Sequence, residues 1–243
     1  MEGLASFMYG AVGGGFVATA LRVLEQYWVT PWFTGTAEAK RKLFLYGRPL
    51  YLSCYQIEFR LTHITQKQEE HRPEGIKSLQ ASPSEAKSVD WFTKDGYFVA
   101  SSAYVIACVA AWIALYQKDV VFLPFRRASL AAQFFDLIER FKIAVSTKTI
   151  LWYHYIDGIG ELLVEDGHDR PMAFATFSYK LLNDQSFRGY YDQLFQFLRQ
   201  VGSGEYRDQL KQTVAAVPDI KRFLAENEVI PVIEAYDHLP GEL

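Results

Sequence analysis

Two uncharged stretches constrain this chain more than any other feature. Residues 3 to 21, "GLASFMYGAVGGGFVATAL", and residues 96 to 116, "GYFVASSAYVIACVAAWIALY", are each about the length that a tilted helix needs to cross a bilayer. In the first, the consecutive glycines Gly13, Gly14 and Gly15 would each cost a helix in water roughly 1 kcal/mol relative to alanine. Glycine is common in membrane helices, where small residues let helices pack closely. The flanks agree with an anchor. Glu2 precedes the stretch, whereas Arg22, Lys40, Arg41, Lys42 and Arg48 follow it, so the positive-inside rule places the remainder in the cytoplasm. Tyr27, Trp28, Trp32 and Phe33 then fall in the interfacial aromatic belt. A cleaved signal peptide is the competing reading, but a basic leading region and a small-residue cleavage site are missing; a buried helix is the third.

The second stretch admits two readings. As a span, it makes residues 22 to 95 a cytoplasmic loop and puts the C-terminal half across the membrane, a two-span protein. As the central helix of a bundle, it is apolar all round because neighbours surround it. Lys94 and Asp95 at one end and Lys118 and Asp119 at the other do not discriminate. The core helix is preferred, because little other apolar surface remains to organise the first half of the chain.

Elsewhere the apolar positions recur at helical spacing. In "PLYLSCYQIEFRLTHI", Leu50, Cys54, Ile57, Leu61 and Ile64 step by four, three, four and three, one stripe of a helix. Its polar side carries Gln56, Arg60 and His63. A helix before it breaks near Gly47 and Pro49, and the second restarts at the proline. Residues 65 to 82, charged and holding Pro73 and Gly75, read as a mobile connection. "SPSE" reads as a helix start, with Ser82 as N-cap, Pro83 at the first position and Glu85 closing a capping box. "SLAAQFFDLIERFKIAV", "AFATFSYKLLN", "FRGYYDQLFQFLRQV", "GEYRDQLKQTVAAV" and, beyond Pro218, "DIKRFLAENE" repeat the three-and-four spacing. No useful length alternates with period two, so the predicted fold is all-α. The expected organisation is an anchor with its belt over 1–33, a helical bundle over 34–230 and a loose acidic tail over 231–243.

Candidate chemistry is sparse. In "LWYHYIDGIGELLVEDGHD", His154, Asp157, Glu161 and Glu165 recur at spacings of three, four and four, as ligands on one helix face would. Projected at about 100° per residue, they lie opposite Trp152, Ile156, Ile159 and Leu163. Metal sites built on helices point their ligands into the bundle, and here the apolar stripe claims that direction, so a solvated face is expected, with metal binding by His154, Asp157 and Glu161 as the weaker reading. Gly158 and Gly160 weaken the helix and invite a close neighbour. Glu58 and His63 lack the Glu-x-x-His spacing of di-iron helices. Ser101, Ser102 and Tyr104 suit either a polar pocket or bonds back to their own backbone. Arg126 and Arg127 in "PFRR" suit anionic lipid or carboxylates, with a solvated loop as the default. Phosphate loops, dinucleotide fingerprints, HExxH and GxSxG are all lacking, and no cofactor is implied. Cys54 and Cys108 lack metal or redox spacing and read as buried free thiols. A net charge of −3 removes the broad basic field of nucleic-acid binding.

The segments "GRPLYLSCYQIEFRLTHI", "GYFVASSAYVIACVAAWIALYQKDVVFL" and "YIDGIGELL" resemble a loose group of uncharacterised bacterial proteins with one N-terminal membrane helix and a cytoplasmic all-helical domain. The resemblance implies that 96–116 is a core helix, although comparable segments often carry a midway arginine that this chain lacks; it lends no activity. The expected function is a membrane-tethered, non-enzymatic helical protein that touches the bilayer through residues 3–21 and binds a protein partner or its own copies. The alternative is a helical enzyme or small-molecule sensor whose pocket uses Tyr104, Glu58, His154 or Glu161.

Overall fold

The computed structural model describes residues 30–70, 75–120 and 128–227, with side chains from 45 onward except at 119–120 and 128–131. The uncharged stretch at 3–21, Tyr27, Trp28, the "PFRR" arginines Arg126 and Arg127 and the tail at 231–243 lie outside the described residues, as do the side chains of Trp32 and Phe33. Eight α-helices are described: α1 (Thr30–Glu70), α2 (Lys77–Gln80), α3 (Tyr97–Val120), α4 (Ala128–Ser146), α5 (Tyr153–Leu163), α6 (Phe174–Asn183), α7 (Gln185–Gly202) and α8 (Arg207–Glu226). Among the described residues there is no strand, only an isolated bridge between Val164 and Pro171. The fold is all-α.

Helix α1 spans 41 residues, roughly 62 Å at 1.5 Å per residue. Its core stripe falls as the spacing requires: Leu50, Cys54, Ile57, Leu61 and Ile64 are all buried. Against that stripe pack α3 and α8, while α3 also packs on α5 and α7, and α4 on α8. Helix α3 is long and apolar enough to cross a membrane, and most of it is buried inside the protein. Val99, Ala100, Leu115, Cys108, Tyr116 and Val109 are spread around its whole circumference at about 100° per residue, and all are buried. An aromatic joint fastens α3, α4 and α8: the ring of Phe134 sits 4.4 Å from Tyr116 and 5.5 Å from Phe223. Helix α7 begins with a proper cap, the Asp184 carboxylate accepting from Phe187 N–H at 3.0 Å.

The structure departs from the sequence expectations at four places. Pro49 does not divide α1, and Pro218 does not divide α8; both lie inside continuous helices. A proline in a helix interior forfeits one N–H and crowds a carbonyl, at about 3 kcal/mol. Buried apolar residues on both sides, Tyr46 and Leu50 around the first and Val217 and Ile220 around the second, hold the helices through the break.

The expected mobile connection at 65–82 is, where described, tied to the body. Helix α1 continues to Glu70, and its Gln68 side chain donates to the carbonyls of Val201 at 2.7 Å and Glu205 at 3.2 Å. Beyond it, Ile76 N–H donates to the Gly202 carbonyl at 2.7 Å, and Ile76 and Leu79 are buried against α7. Two apolar residues are too few to make a period visible among so many charges.

The capping box is also absent. Ser82 precedes a single 3-10 turn, Pro83–Glu85, and its side chain caps nothing; its hydroxyl instead lies 2.8 Å from that of Ser84. Finally, Trp152 is not on the buried stripe of α5. It stands just before the helix and is 76% exposed, because the backbone there is extended and the helical projection does not apply.

Candidate functional site

The acidic face of α5 is mostly wet. His154 and Glu161 are exposed and Asp157 is half-buried, as is Glu165, which lies two residues beyond the end of α5. The latter two are held by the chain's own cations: Lys142 of α4 lies 2.5 Å from Asp157, and Lys180 of α6 lies 3.1 Å from Glu165. A carboxylate engaged by a lysine is a poor metal ligand, and no group of three potential ligands converges among the described residues. Replacing His154 and Glu161 together by alanine is therefore expected to change unfolding free energy by less than about 1 kcal/mol, as read by denaturant titration.

Behind that face, α5 meets α3 through glycine. A Cβ built on Gly160 would stand 2.5 Å from the carbonyl carbon of Ala110, and one on Gly158 would collide with the Tyr190 hydroxyl. The close approach expected from these glycines is real, and its counterpart is the small-residue face of α3, Ala103, Ala107, Ala110 and Ala111, all buried. Tyr191 of α7 closes the joint by donating to the Ile159 carbonyl at 2.7 Å.

The other polar residues singled out from sequence divide. Ser101 and Ser102 donate to the Phe98 carbonyl at 3.3 and 2.6 Å, the ordinary fate of hydroxyls in an apolar helix. Tyr104 donates to the Met172 carbonyl at 2.8 Å. Glu58 is paired with Lys221 of α8, whose ammonium also sits 5.5 Å from the Tyr55 ring centre. His63 packs edge-on against Phe98 at 5.9 Å, and burial, followed by the charges of Lys67 and Arg60, holds its pKa below the usual value. Cys54 and Cys108 are free and buried; burial pushes the Cys54 thiol up to about 12, which makes it inert as a nucleophile.

One concave feature has a lining suited to recognition. A groove of about 370 Å³ opens between α1, α3 and the start of α6, lined by Tyr55, Gln56, Phe59 and Arg60 from α1, Tyr97, Ser101, Tyr104 and Val105 from α3, and Phe174 from α6. Its wall is an aromatic cluster in which the Phe174 ring meets Tyr104 at 5.3 Å and Tyr97 at 6.1 Å, both edge-on. Its one charged side chain is Arg60. The guanidinium lies 4.8 Å above the Phe98 ring, donates to the Ser102 hydroxyl at 3.3 Å and has its pKa lowered by burial, with the neighbouring Tyr97 hydroxyl acting the other way.

Beside the groove, α1 presents a second apolar face to solvent: Leu45, Leu52, Tyr55 and Phe59, the last 68% exposed. These residues step by seven, three and four, opposite the core stripe, and were readable in the sequence as a second periodic set. Arg60 was visible only as part of a polar side, since its lack of a carboxylate partner among the described residues is a fact of tertiary structure. No protein-family model, curated protein or solved structure matches the chain.

Proposed function

We propose that this chain is a membrane-tethered helical interaction protein without catalytic activity of its own. In this reading residues 3–21 enter the bilayer, the helical body lies on the cytoplasmic side, and α3 is a core helix. The observation that carries it is the outward face of α1. The helix whose N-terminal end follows the uncharged stretch exposes Leu45, Leu52, Tyr55 and Phe59 in a row, and exposed apolar patches of this kind mark contact surfaces. Tethering supports it further, because confinement to a surface raises the effective concentration of a weak contact. The burial of α3 among its neighbours supports a core role for that helix, and the net charge of −3 speaks against nucleic acid as the partner. The contact made by α1 is with a protein, either a second copy or a different chain.

Carbonate extraction of membranes carrying the full chain tests the tether. Val12→Arg combined with Phe16→Arg places two charges in the uncharged stretch, each costing roughly 3 kcal/mol at the centre of a span. The wild type is expected in the membrane pellet and the double variant in the supernatant. Retention of the double variant in the pellet would point to a crossing by α3 instead, and would overturn both the tether and the core role of that helix.

A further inference from the structure

The groove between α1, α3 and α6 contains a cation that the described part of the protein leaves without a carboxylate. Lys142, Lys221 and Arg207, each with a side chain at most about a fifth exposed, face Asp157, Glu58 and Glu69 respectively. Arg60 is likewise half-buried, yet its partners among the described residues are neutral: the Ser102 hydroxyl, the Tyr97 hydroxyl and the face of Phe98. A guanidinium carries five N–H donors in a planar fork that matches a carboxylate, and it stays charged when desolvated. Lining such a cation with aromatic rings removes water from one side and strengthens its attraction for an anion from the other.

We propose that this groove binds a small monocarboxylate with an apolar body, its carboxylate on the Arg60 guanidinium and its body against Phe59, Val105 and Phe174. The volume of about 370 Å³ falls in the lower part of the range for small-molecule sites, roughly 300–1,000 Å³. A single charge fits better than a phosphate monoester, because one arginine with hydroxyl neighbours supplies one fork and not the several cationic or N–H donors that a doubly charged head requires. The walls are set in advance. Tyr104 is held by its bond to Met172, and Phe174 is held between Tyr104 and Tyr97, so little ordering entropy is spent on binding. The inference goes beyond the tether and does not depend on it.

The sequence offers a variant that silences the arginine while keeping it. Gln56 lies four residues before Arg60 and lines the same groove, so Gln56→Glu creates an i,i+4 ion pair within α1, an arrangement that favours a helix. The full chain, in phosphatidylcholine nanodiscs if it purifies with membranes and in plain buffer if it does not, would be titrated with 2-naphthoate by calorimetry, with empty nanodiscs or buffer as the blank. Decanoate, 2-naphthylmethanol and 2-naphthyl phosphate serve as comparison probes. We expect 2-naphthoate to bind wild-type protein, Gln56→Glu and Arg60→Met each to weaken it at least tenfold, and the uncharged alcohol to be indifferent to both. Decanoate binding with the same sensitivity would assign the site to aliphatic acids; its failure beside bound naphthoate would assign it to aromatic ones. Absence of binding by both acids, or binding unmoved by either substitution, would overturn the proposal. So would tighter binding of the phosphate ester than of the carboxylate. Unchanged thermal unfolding of Gln56→Glu shows that a loss of binding is not a loss of fold.

Discussion

Gly160→Leu is expected to destabilise the protein by about 3 kcal/mol or more, at the upper end of what overpacking a core costs. The atoms that a side chain at 160 would meet are backbone, the carbonyl carbon and oxygen of Ala110 at 2.5 and 2.6 Å and the Ala111 nitrogen at 2.8 Å from the first added carbon alone. Backbone in the middle of a buried helix cannot step aside as a flexible side chain can, so α3 and α5 must separate. Thermal unfolding followed by circular dichroism would fall by roughly 6–12 °C for a chain of this size. Gly160→Ala should lose less, since it adds only the first carbon of the four that leucine brings, while both residues recover most of the roughly 1 kcal/mol of helix propensity that glycine forfeits. Gly189→Ala is the control: that glycine lies inside α7 with nothing within 4 Å of the added carbon, and the substitution should be neutral or stabilising by up to about 1 kcal/mol. A tolerated leucine at 160 would mean that the close crossing of α3 and α5 is wrong.

Asp157→Ala is expected to cost about 3 kcal/mol, the lower end of what breaking a buried ion pair costs when one charge is left behind. The charge left behind is Lys142, only 4% exposed. Its Nζ would lose the Asp157 carboxylate at 2.5 Å and retain, among the described residues, the face of Tyr153, with the ring centre 5.1 Å away. The reciprocal change should be milder. Lys142→Met leaves Asp157 with about a third of its side chain in water, where an unpaired carboxylate is hydrated, and replaces a buried cation by an apolar chain of similar length; a loss of about 1 kcal/mol is expected. Denaturant titration of both variants measures the asymmetry. Equal and small losses would show that the α4–α5 contact does not depend on this pair.

The helices were legible where a buried stripe repeats. Leu50 to Ile64 in α1 and Ile156, Ile159 and Leu163 in α5 are apolar at the spacing that burial demands, and the structure buries them. Their ends were less so. The prolines at 49 and 218 carry a local signal to stop that tertiary packing outweighs, and Trp152 looked like a core residue because periodicity was extended past the point where the helix begins. Gln68 and the stretch from Ile76 to Leu79 resisted reading for a different reason, since they are attached by hydrogen bonds to distant carbonyls and by two buried apolar side chains, which leave no periodic trace. At the candidate sites the same division holds. The glycines of α5 announced a close neighbour without naming α3, and Asp157, Glu161 and Glu165 announced a wet face without revealing that Lys142 and Lys180 claim two of them. The groove around Arg60 was beyond the sequence altogether, because it is assembled from three helices and holds a cation with no counter-charge among the described residues.

The contacts of α1 with α7 and α8 also set a timetable. Gln68 bonds to a carbonyl 133 positions later in the chain, and the Glu69–Arg207 and Glu58–Lys221 pairs join the beginning of the described fold to its end. Contacts between such distant positions incur their loop-closure cost before they return any stability, which slows folding. During synthesis the stripe from Leu50 to Ile64 leaves the ribosome long before α8, one of the two helices that pack against it, exists to cover it. A nascent chain of this protein therefore carries a hydrophobic rod that α3 covers early and α8 covers only at the end. Truncations within α8 should shift the product from folded protein to chaperone-bound or aggregated chain, even though they remove none of the residues that make α1 a helix.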